Sequence, residues 1–288
     1  MTDKKVVLDQ NRLAQAVAQD VARALAEDVG SGDLTAGLVP ANKVITARIL
    51  ARESAMICGR PWVEEVIREV DSHVSWQWHV QEGMRCQSDQ VVLTLQGSAR
   101  SLLTLERTAL NFLQTLSAVA TRTAQFVEAV AGTRAAIVDT RKTLPGLRIA
   151  QKYAVVQGGG VNHRLGLYDA ILIKENHIAA AGGVTAVMQQ ARQQAASATF
   201  VEIEVETLAQ LEEALQAGAD MVLLDNMPID QLHEAVRLNA GRAVLEISGG
   251  VSLERVRDLA LTGVDRISIG ALTKDVKAID FSMRFEGL

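Results

Sequence analysis

Four short apolar segments near the carboxyl-terminal end of the chain indicate its fold: FVEIEV (Phe200–Val205), MVLLD (Met221–Asp225), AVLEI (Ala243–Ile247) and RISI (Arg266–Ile269). They recur about every 22 residues, and the stretches between them are helical in pattern, as in Leu208–Ala217 and Leu253–Leu261. Ala135–Asp139 and Ala170–Lys174 extend the series toward the amino terminus. Apolar strands that alternate with helices predict a parallel sheet buried on both faces, either an open sheet or an α/β barrel.

The residues that follow these strands favour the barrel. The endings are polar, charged or rich in glycine, namely Asp139-Thr140-Arg141-Lys142, Lys174-Glu175-Asn176-His177, Glu204-Val205-Glu206, Asp225-Asn226, Ser248-Gly249-Gly250 and Gly270-Ala271. In an α/β barrel the carboxyl ends of the strands meet at one mouth, where such enzymes hold their active sites. We therefore predict a binding site formed by these endings.

Positive charge is concentrated between Asp139 and His177, although the formal net charge of the whole chain is −5. The cations of this stretch are Arg141, Lys142, Arg148, Lys152, Arg164 and Lys174. A local basic site in an acidic protein suits a small polyanionic substrate and argues against general binding to nucleic acid; solvated helix faces are the alternative. Arginines can hold carboxylate or phosphate bidentately, lysines act as point charges, and His163 could donate a hydrogen bond to a carboxylate.

Two glycine endings and two acidic residues refine the expected ligand. Ser248-Gly249-Gly250 and Gly270-Ala271 follow the last two strands, where barrels commonly bind phosphate through backbone N–H groups. Glu204 and Asp225 bring negative charge to the same mouth. This combination predicts a ligand with anionic groups and hydroxyls, such as a phosphorylated sugar with its metal. No cluster offers a protein-only metal cage, so Mg²⁺ would be held largely by water and substrate phosphates.

The sequence before Gly132 predicts a separate layer of mixed strands and helices. We expect helices over Gln10–Glu27, Pro61–Val70 and Ser101–Ala131, the last broken near Ser117, and strands over Val44–Arg52, Val74–Val80 and Val91–Gln96.

The composition predicts a soluble cytoplasmic enzyme. Hydrophobic residues make up 48% of the chain, yet no apolar run approaches the ~20 residues that span a bilayer, and no apolar signal region follows Met1. Cys58 and Cys86 have no metal-ligand spacing, and we expect buried free thiols rather than a disulfide.

Long motifs along nearly the whole chain resemble those of one known family. They are EDVGSGDLT (Glu27–Thr35), ERTALN (Glu106–Asn111), DTRKTLPGLR (Asp139–Arg148), KYAV (Lys152–Val155), GGGVNHR (Gly158–Arg164), LIKENH (Leu172–His177), EIEVE (Glu202–Glu206), LDNM (Leu224–Met227) and EISGG (Glu246–Gly250). Together they are similar to quinolinate phosphoribosyltransferase, also called nicotinate-nucleotide pyrophosphorylase (carboxylating).

The resemblance implies a two-domain α/β fold, an N-terminal α/β sandwich followed by an incomplete α/β (TIM-like) barrel. We expect the sandwich over residues 1–113, with the tail 272–288 packing back on it, and the catalytic barrel over 114–271. It also implies a homodimer in which each subunit completes the other's active site, or a higher oligomer. No nucleic-acid or membrane partner is expected.

The implied reaction joins quinolinate to 5-phosphoribosyl-1-pyrophosphate in de novo NAD biosynthesis, giving nicotinate mononucleotide, pyrophosphate and CO₂. It implies Mg²⁺, held through substrate phosphates near Glu204 and Asp225, and no organic cofactor. Lys142, Lys174, Glu204 and Asp225 are the expected catalytic residues. By the matching motifs, the substrate-binding residues are Arg107 (acting in the partner's site), Thr140, Arg141, Lys142, His163, Arg164, Lys174, Glu204, Asp225, Ser248, Gly249, Gly250, Ile269, Gly270 and Ala271.

Two alternatives remain at this point. A paralogous family associated with molybdenum-transport genes shares the fold and uses a different acceptor, but the expected carboxylate-binding set is complete here. A non-catalytic dimer that senses a phosphorylated metabolite would have lost charged groups such as Lys142, Glu204 or Asp225, and all three are present.

Overall fold

The structure, a computed structural model, describes residues 6–286 and divides into two compact units. One unit combines Leu8–Ala124, Leu144–Gly158 and the segment that begins at Thr273, and we call it the sheet unit. The other combines residues 6–7 with Gln125–Thr143 and Gly159–Leu272, and we call it the barrel unit. Each unit is therefore assembled from separate stretches of the chain.

The secondary structure follows a mixed order before Gly132 and a regular alternation after it. The earlier elements are α1 (Gln10–Asp28), β1 (Val44–Ala51), β2 (Ala55–Met56), α2 (Arg60–Val70), β3 (Ser75–Trp78), β4 (Arg85–Cys86), β5 (Val91–Ser98) and α3 (Ala99–Ala129). The later elements are β6 (Ala136–Val138), α4 (Arg148–Gln157), β7 (Ile171–Ile173), α5 (Glu175–Ala181), α6 (Val184–Gln194), β8 (Val201–Val205), α7 (Leu208–Gln216), β9 (Met221–Asp225), α8 (Ile229–Asn239), β10 (Val244–Ser248), α9 (Val256–Leu261), β11 (Arg266–Ser268), α10 (Ala271–Lys274) and β12 (Phe281–Glu286).

The sheet unit is built on a four-stranded antiparallel sheet in the order β12-β1-β5-β3. Alternate residues of β1 are buried, among them Ile45, Ala47 and Ile49, so one face of the strand is covered. The last strand of the described chain, β12, pairs with β1 from Thr46↔Glu286 to Ala51↔Phe281.

Helix α3 is continuous, so the predicted break near Ser117 is wrong. A serine inside a helix competes for backbone hydrogen bonds, which makes it a common sign of a helix end. Here the Ser117 hydroxyl instead accepts from the Cys58 N–H at 3.0 Å and donates to the Cys58 carbonyl at 3.1 Å. The hydroxyl stabilises a neighbouring segment and leaves the helix intact.

The barrel unit contains a six-stranded sheet in the order β6-β11-β10-β9-β8-β7, and every pair in it is parallel. All six predicted strands are confirmed, each within one or two residues of its expected bounds. Among the described residues β6 and β7 do not pair with each other, so the barrel is incomplete, as predicted. Helix α9 begins at Val256, later than the expected Leu253, because a turn precedes it.

Two further expectations concern thiols and membranes. Cys58 and Cys86 are free and buried, as predicted. Within residues 6–286, no helix combines the length and the apolar character that crossing a bilayer requires.

Candidate active site

The carboxyl ends of four neighbouring parallel strands bring predicted site residues to one edge of the barrel unit. Lys174 follows β7, Glu204 lies near the end of β8, and Asp225 and Ser248 end β9 and β10. Asp225 and Ser248 are direct partners in the strand register, so these two ends are level. We call this edge, together with the loop after β6, the mouth.

Lys174 and Glu204 form an ion pair across the mouth. Lys174 Nζ lies 2.8 Å from Glu204 Oε2, and the lysine side chain remains 44% exposed. The lysine ammonium has three N–H donors, so its exposed side can bind an incoming anion while the contact with the mostly buried Glu204 stays in place. The pair therefore joins a cation-binding group and an anion-binding group at the same point.

The loop after β6 meets the loop after β11. The Lys142 N–H donates to the Thr140 hydroxyl at 3.0 Å, which makes a tight turn. A Cβ placed on Gly270 would lie 2.9 Å from Lys142 Cδ and 3.7 Å from Thr140 Oγ1. The stem of Lys142 thus packs against Gly270, and a Cβ at position 270 would force that lysine side chain to shift.

Arg164 is a mostly buried cation close to a second one. Burial lowers the pKa of Arg164, and the like charge of Arg141 lowers it further, whereas Glu202 and Asp169 act in the opposite direction. Its guanidinium donates to the Ala170 carbonyl at 3.3 Å. Two arginines held near each other form a strongly positive point, which a multiply charged anion would neutralise.

His163 lies below the mouth and is 6% exposed. Its Nε2 is 2.8 Å from Glu202 Oε2, and its Nδ1 accepts a hydrogen bond from the Arg164 N–H at 2.8 Å. The ring also stands edge-on to Phe200. Both ring nitrogens therefore contact protein groups, and the expected contact of His163 with a substrate carboxylate stays a prediction.

Below the mouth, three charged residues form what we call the buried charged layer: Glu202, Glu246 and Arg266. Both glutamates are fully buried, and Arg266 Nε lies 2.9 Å from Glu246 Oε2. Burial raises the pKa of each glutamate to about 7; for Glu246 the charge of Glu202 adds to this, while His163 and Arg266 oppose it.

The sequence alone predicted no role for this buried charged layer. The available signal was an acidic residue two positions before a mouth residue, as Glu202 is before Glu204, because such residues share a strand face.

The loop after β10 is shaped around Asn226. Gly249 has φ +98°, and a Cβ there would clash with the Asn226 side chain. The Asn226 N–H donates to the Ser248 carbonyl at 3.1 Å, and its Nδ2 donates to Asp225 Oδ2 at 2.8 Å. Asn226 thus links the predicted phosphate loop to one of the predicted catalytic carboxylates.

The other predicted binding residues lie in the two glycine loops or, for Arg107, on helix α3. Gly250 has φ +58° in the same loop as Gly249. The Ile269 N–H donates to the Val138 carbonyl at 2.9 Å, so this group already serves the barrel, and Gly270 and Ala271 follow at the start of α10. Arg107 is exposed on α3 in the sheet unit, and its role at a site stays a prediction.

The basic stretch of the sequence is divided between the two units. Arg141, Lys142, Arg164 and Lys174 belong to the barrel unit. Arg148 and Lys152 lie on α4 in the sheet unit, where Lys152 is fully buried. Arg148 and Lys152 therefore contribute to the positive charge of this stretch in the sequence, but they do not belong to the unit that contains the mouth.

Two family models match the chain over most of its length. The model described as "Quinolinate phosphoribosyl transferase, N-terminal domain" matches residues 33–117, and the corresponding C-terminal domain model matches residues 119–284.

Curated proteins and solved structures give the same result. The chain is 45% identical over 275 residues to the nicotinate-nucleotide pyrophosphorylase [carboxylating] of Mycobacterium leprae, covering 93% of this chain and 96% of that protein. It is 41% identical over 257 residues to a probable enzyme of the same name from Bacillus subtilis, covering 89% of each. The structure of the nicotinate-nucleotide pyrophosphorylase from Francisella tularensis superposes with a TM-score of 0.93 at 40% identity, covering 99% of this chain and 100% of that one. This chain belongs to the quinolinate phosphoribosyl transferase family.

Proposed function

We propose that the protein is a decarboxylating quinolinate phosphoribosyltransferase. It joins quinolinate to 5-phosphoribosyl-1-pyrophosphate and releases nicotinate mononucleotide, pyrophosphate and CO₂, a step of NAD biosynthesis. One observation carries the proposal beyond family membership: the mouth combines the cations Arg141, Lys142 and Lys174 with the two carboxylates Glu204 and Asp225. Such a site can hold a dianionic acceptor beside a sugar that becomes positively charged.

The acceptor is bound by cations. Quinolinate carries two adjacent carboxylates that repel each other, so its binding requires several positive groups at one place. Arg141 and Arg164 supply paired guanidinium groups, and Lys174 supplies an exposed ammonium. The Glu204 carboxylate holds Lys174 in position before the acceptor arrives.

The donor reacts at C1 of its ribose. When the C1–oxygen bond to pyrophosphate breaks, positive charge develops on the sugar ring, and Glu204 and Asp225 stabilise it electrostatically. Lys142 neutralises phosphate charge, and the glycine loops at Gly249 and Gly270 present backbone N–H groups to the 5′-phosphate.

The second half of the reaction follows from the first. The quinolinate nitrogen uses its lone pair to form the new bond to C1, which leaves the pyridine ring cationic. The bond from C2 to its carboxylate then breaks, CO₂ leaves, and the electron pair remains at C2 next to the positive nitrogen. A proton from solvent replaces CO₂ at C2. The enzyme needs no organic cofactor for this sequence.

Mg²⁺ is part of the proposal, and the mouth has suitable donors. Glu204 and Asp225 offer hard carboxylate oxygens on neighbouring strands, and the donor substrate supplies phosphate oxygens. Bound there, Mg²⁺ would neutralise charge on the leaving pyrophosphate. Glu204 also holds Lys174, so the binding of quinolinate and the binding of Mg²⁺ both depend on this one carboxylate.

We also propose a homodimer with shared active sites, in which Arg107 acts in the site of the other subunit. The exposed position of Arg107 on α3 is compatible with this role. The working compartment is the cytoplasm.

The function is tested by assaying the purified protein with quinolinate labelled in its 2-carboxylate, phosphoribosyl pyrophosphate and Mg²⁺. We expect labelled CO₂ and pyrophosphate in a one-to-one ratio, with nicotinate mononucleotide as the product. Nicotinate lacks the 2-carboxylate and would leave cations unpaired, which costs roughly 1–3 kcal/mol or more, so it should be a very poor substrate. Efficient use of nicotinate, or transfer without release of CO₂, would contradict the proposal.

A further inference from the structure

The buried charged layer lies directly beneath the mouth, and none of its three residues takes part in the proposed reaction. Glu202 precedes Glu204 by two residues on β8, and Glu246 precedes Ser248 by two residues on β10. Residues two apart on a strand share a face and are about 7 Å apart. Burying two carboxylates and a guanidinium is costly even when they are paired, so the layer lowers stability relative to a well-packed apolar one.

The contacts of His163 identify the proton that the layer controls. The Arg164 backbone N–H can only donate, so the Nδ1 that accepts from it at 2.8 Å carries no proton. A neutral ring then has its proton on Nε2, which lies 2.8 Å from Glu202 Oε2 and donates to it. The Arg164 N–H and Glu202 therefore select the same tautomer, and Glu202 holds the ring of His163 in its orientation.

A metal site is the other way to use these groups. His163, Glu202 and Glu246 each offer a ligand atom, and these atoms lie within 4.8 Å of one another. However, Arg266 is paired with Glu246, and Arg164 and Lys174 add positive charge close to Glu202. The protonated Nε2 also points at the carboxylate that would have to bind the ion. The local charge thus disfavours a divalent cation.

The link to the mouth runs through Arg164. Its backbone N–H is held by the His163 ring, and its guanidinium experiences repulsion from Arg141 and attraction from Glu202. Glu202 thus acts on Arg164 twice, through the ring that anchors its main chain and through a buried opposite charge. Glu246 Oε1 lies farther from the His163 Nε2, at 3.6 Å, and its other oxygen is paired with Arg266. Glu246 therefore holds the ring less firmly than Glu202 does and attracts Arg164 less.

We propose that Glu202 is a positioning residue for the acceptor subsite, acting on Arg164 through His163. This inference rests on the proposed function, because the acceptor is the anion that Arg164 binds. Glu202 itself touches no substrate. The specificity for a dianion is set partly from inside the barrel, by a carboxylate that keeps Arg164 in one usable arrangement.

The kinetic test uses Glu202→Gln and Glu202→Leu in the full-length protein. Glutamine keeps an oxygen for the Nε2 proton and loses the charge, whereas leucine loses both. We expect the KM for quinolinate to rise about tenfold in the first and about a hundredfold in the second, the range for hydrogen bonds to charged groups. The KM for phosphoribosyl pyrophosphate should stay within about twofold, because Glu202 does not serve the donor.

Glu246→Gln is the matched control, since Glu246 is equally buried in the same layer. It removes the charge that faces Arg266, keeps the acceptor of the Nε2 proton on Glu202, and should leave the KM for quinolinate within about twofold. Equal rises of this KM in the Glu202 and Glu246 variants would reduce the layer to a structural role and overturn the proposal, as would wild-type KM values in both Glu202 variants.

A spectroscopic readout is independent of activity. The chain has 5 histidines, and in ¹⁵N-histidine-labelled protein the His163 ring is assigned by the signal lost in His163→Asn. We expect an unprotonated Nδ1 and a protonated Nε2 in the wild type, and loss of this single tautomer in Glu202→Leu, or in Glu202→Gln should the leucine variant not fold. A protonated Nδ1 in the wild type would overturn the proposal. Should the wild type not use quinolinate, the proposed function fails and the ring signal still decides whether Glu202 holds His163.

Discussion

The turn at Gly249 requires glycine for two separate reasons. Its φ of +98° is a conformation that residues with a Cβ rarely adopt, and a Cβ would also clash with the Asn226 side chain. Asn226 has φ +53° itself and donates to Asp225. A side chain at position 249 would therefore move the residue that orients a proposed catalytic carboxylate.

Gly249→Ala should lower the free energy of unfolding by about 1–3 kcal/mol and reduce kcat/KM for phosphoribosyl pyrophosphate at least tenfold. Gly241→Ala is the control, because Gly241 has φ +77° with nothing within 4 Å of a Cβ. This control should lose about 1 kcal/mol through strain alone and keep its kinetics. Chemical denaturation and steady-state kinetics measure both effects; equal kinetics in the two variants would show that displacing Asn226 has no consequence.

At this scale the sequence predicts the mouth better than the layer beneath it. Lys174 and Asp225 stand out because polar residues interrupt or end apolar strands. Glu246 gives only the weaker signal of an acidic residue two positions before the mouth residue Ser248, and a charged residue within a strand is usually taken to face solvent. Its burial depends on the strand register, which pairs it with Arg266, and no local pattern contains that information.

Three short strands of the barrel unit each present polar side chains at two levels. β8 carries Glu202 and Glu204, β10 carries Glu246 and Ser248, and β11 carries Arg266 and Ser268. The upper level forms the mouth or lies next to it, and the lower level is the buried charged layer. Barrels usually fill this lower level with branched apolar residues, so the layer is a cost that the rest of the fold must offset.

That cost depends on pH. Burial raises the pKa of Glu246 to about 7 from the 4.5 of a free glutamate, so between these values the folded state binds more protons than the unfolded state. The stability contributed by protonated Glu246 is complete below pH 4.5 and is lost as the pH rises through 7. His163, Glu202 and Arg266 face this carboxylate.

We therefore expect the free energy of unfolding of the wild type to fall between pH 5 and pH 8. Glutamine resembles the protonated acid, so Glu246→Gln should be closest to the wild type in stability at pH 5, and its stability should fall by about 2 kcal/mol less over the same interval. Urea denaturation at several pH values gives both slopes. Parallel slopes would contradict the raised pKa of Glu246.

The elements themselves were largely predictable from periodicity. The six parallel strands were located correctly because each is a short apolar run between helical stretches. The two errors, at Ser117 and at Leu253, occur where tertiary contacts or a turn decide the local structure. A serine that bonds to Cys58, 59 residues away in sequence, gives no sign of that partner in its own neighbourhood.

The proposed dimer makes a prediction for the whole molecule. If Arg107 acts in the other subunit's site, Arg107→Ala and Arg141→Ala are each inactive as homodimers. A mixed dimer then has one site with both defects and one site with neither. After complete subunit exchange about one quarter of the wild-type activity should return, because half of the dimers are mixed and each has one intact site.

Arg141→Ala mixed with Lys174→Ala is the control for subunit exchange. Both residues belong to the barrel unit, so every site of a mixed dimer has one defect and activity should stay lost. Activity is measured after exchange has been verified by mass spectrometry of differently tagged subunits. Continued inactivity of the Arg107 mixture would mean that Arg107 serves its own subunit.

The pairing of β12 with β1 also has a consequence for biosynthesis. Its partners are 230 to 240 residues apart in sequence, and all six strands of the barrel unit are translated between them. Once β1 and β5 have left the ribosome, β1 can pair with β5 on one side only, and β12 follows about 10–40 s later at ordinary rates of translation. During that interval the unpaired edge of β1 is open to other chains on the same messenger. Until β12 is made, that edge of β1 is therefore the part of the sheet most exposed to pairing with another chain.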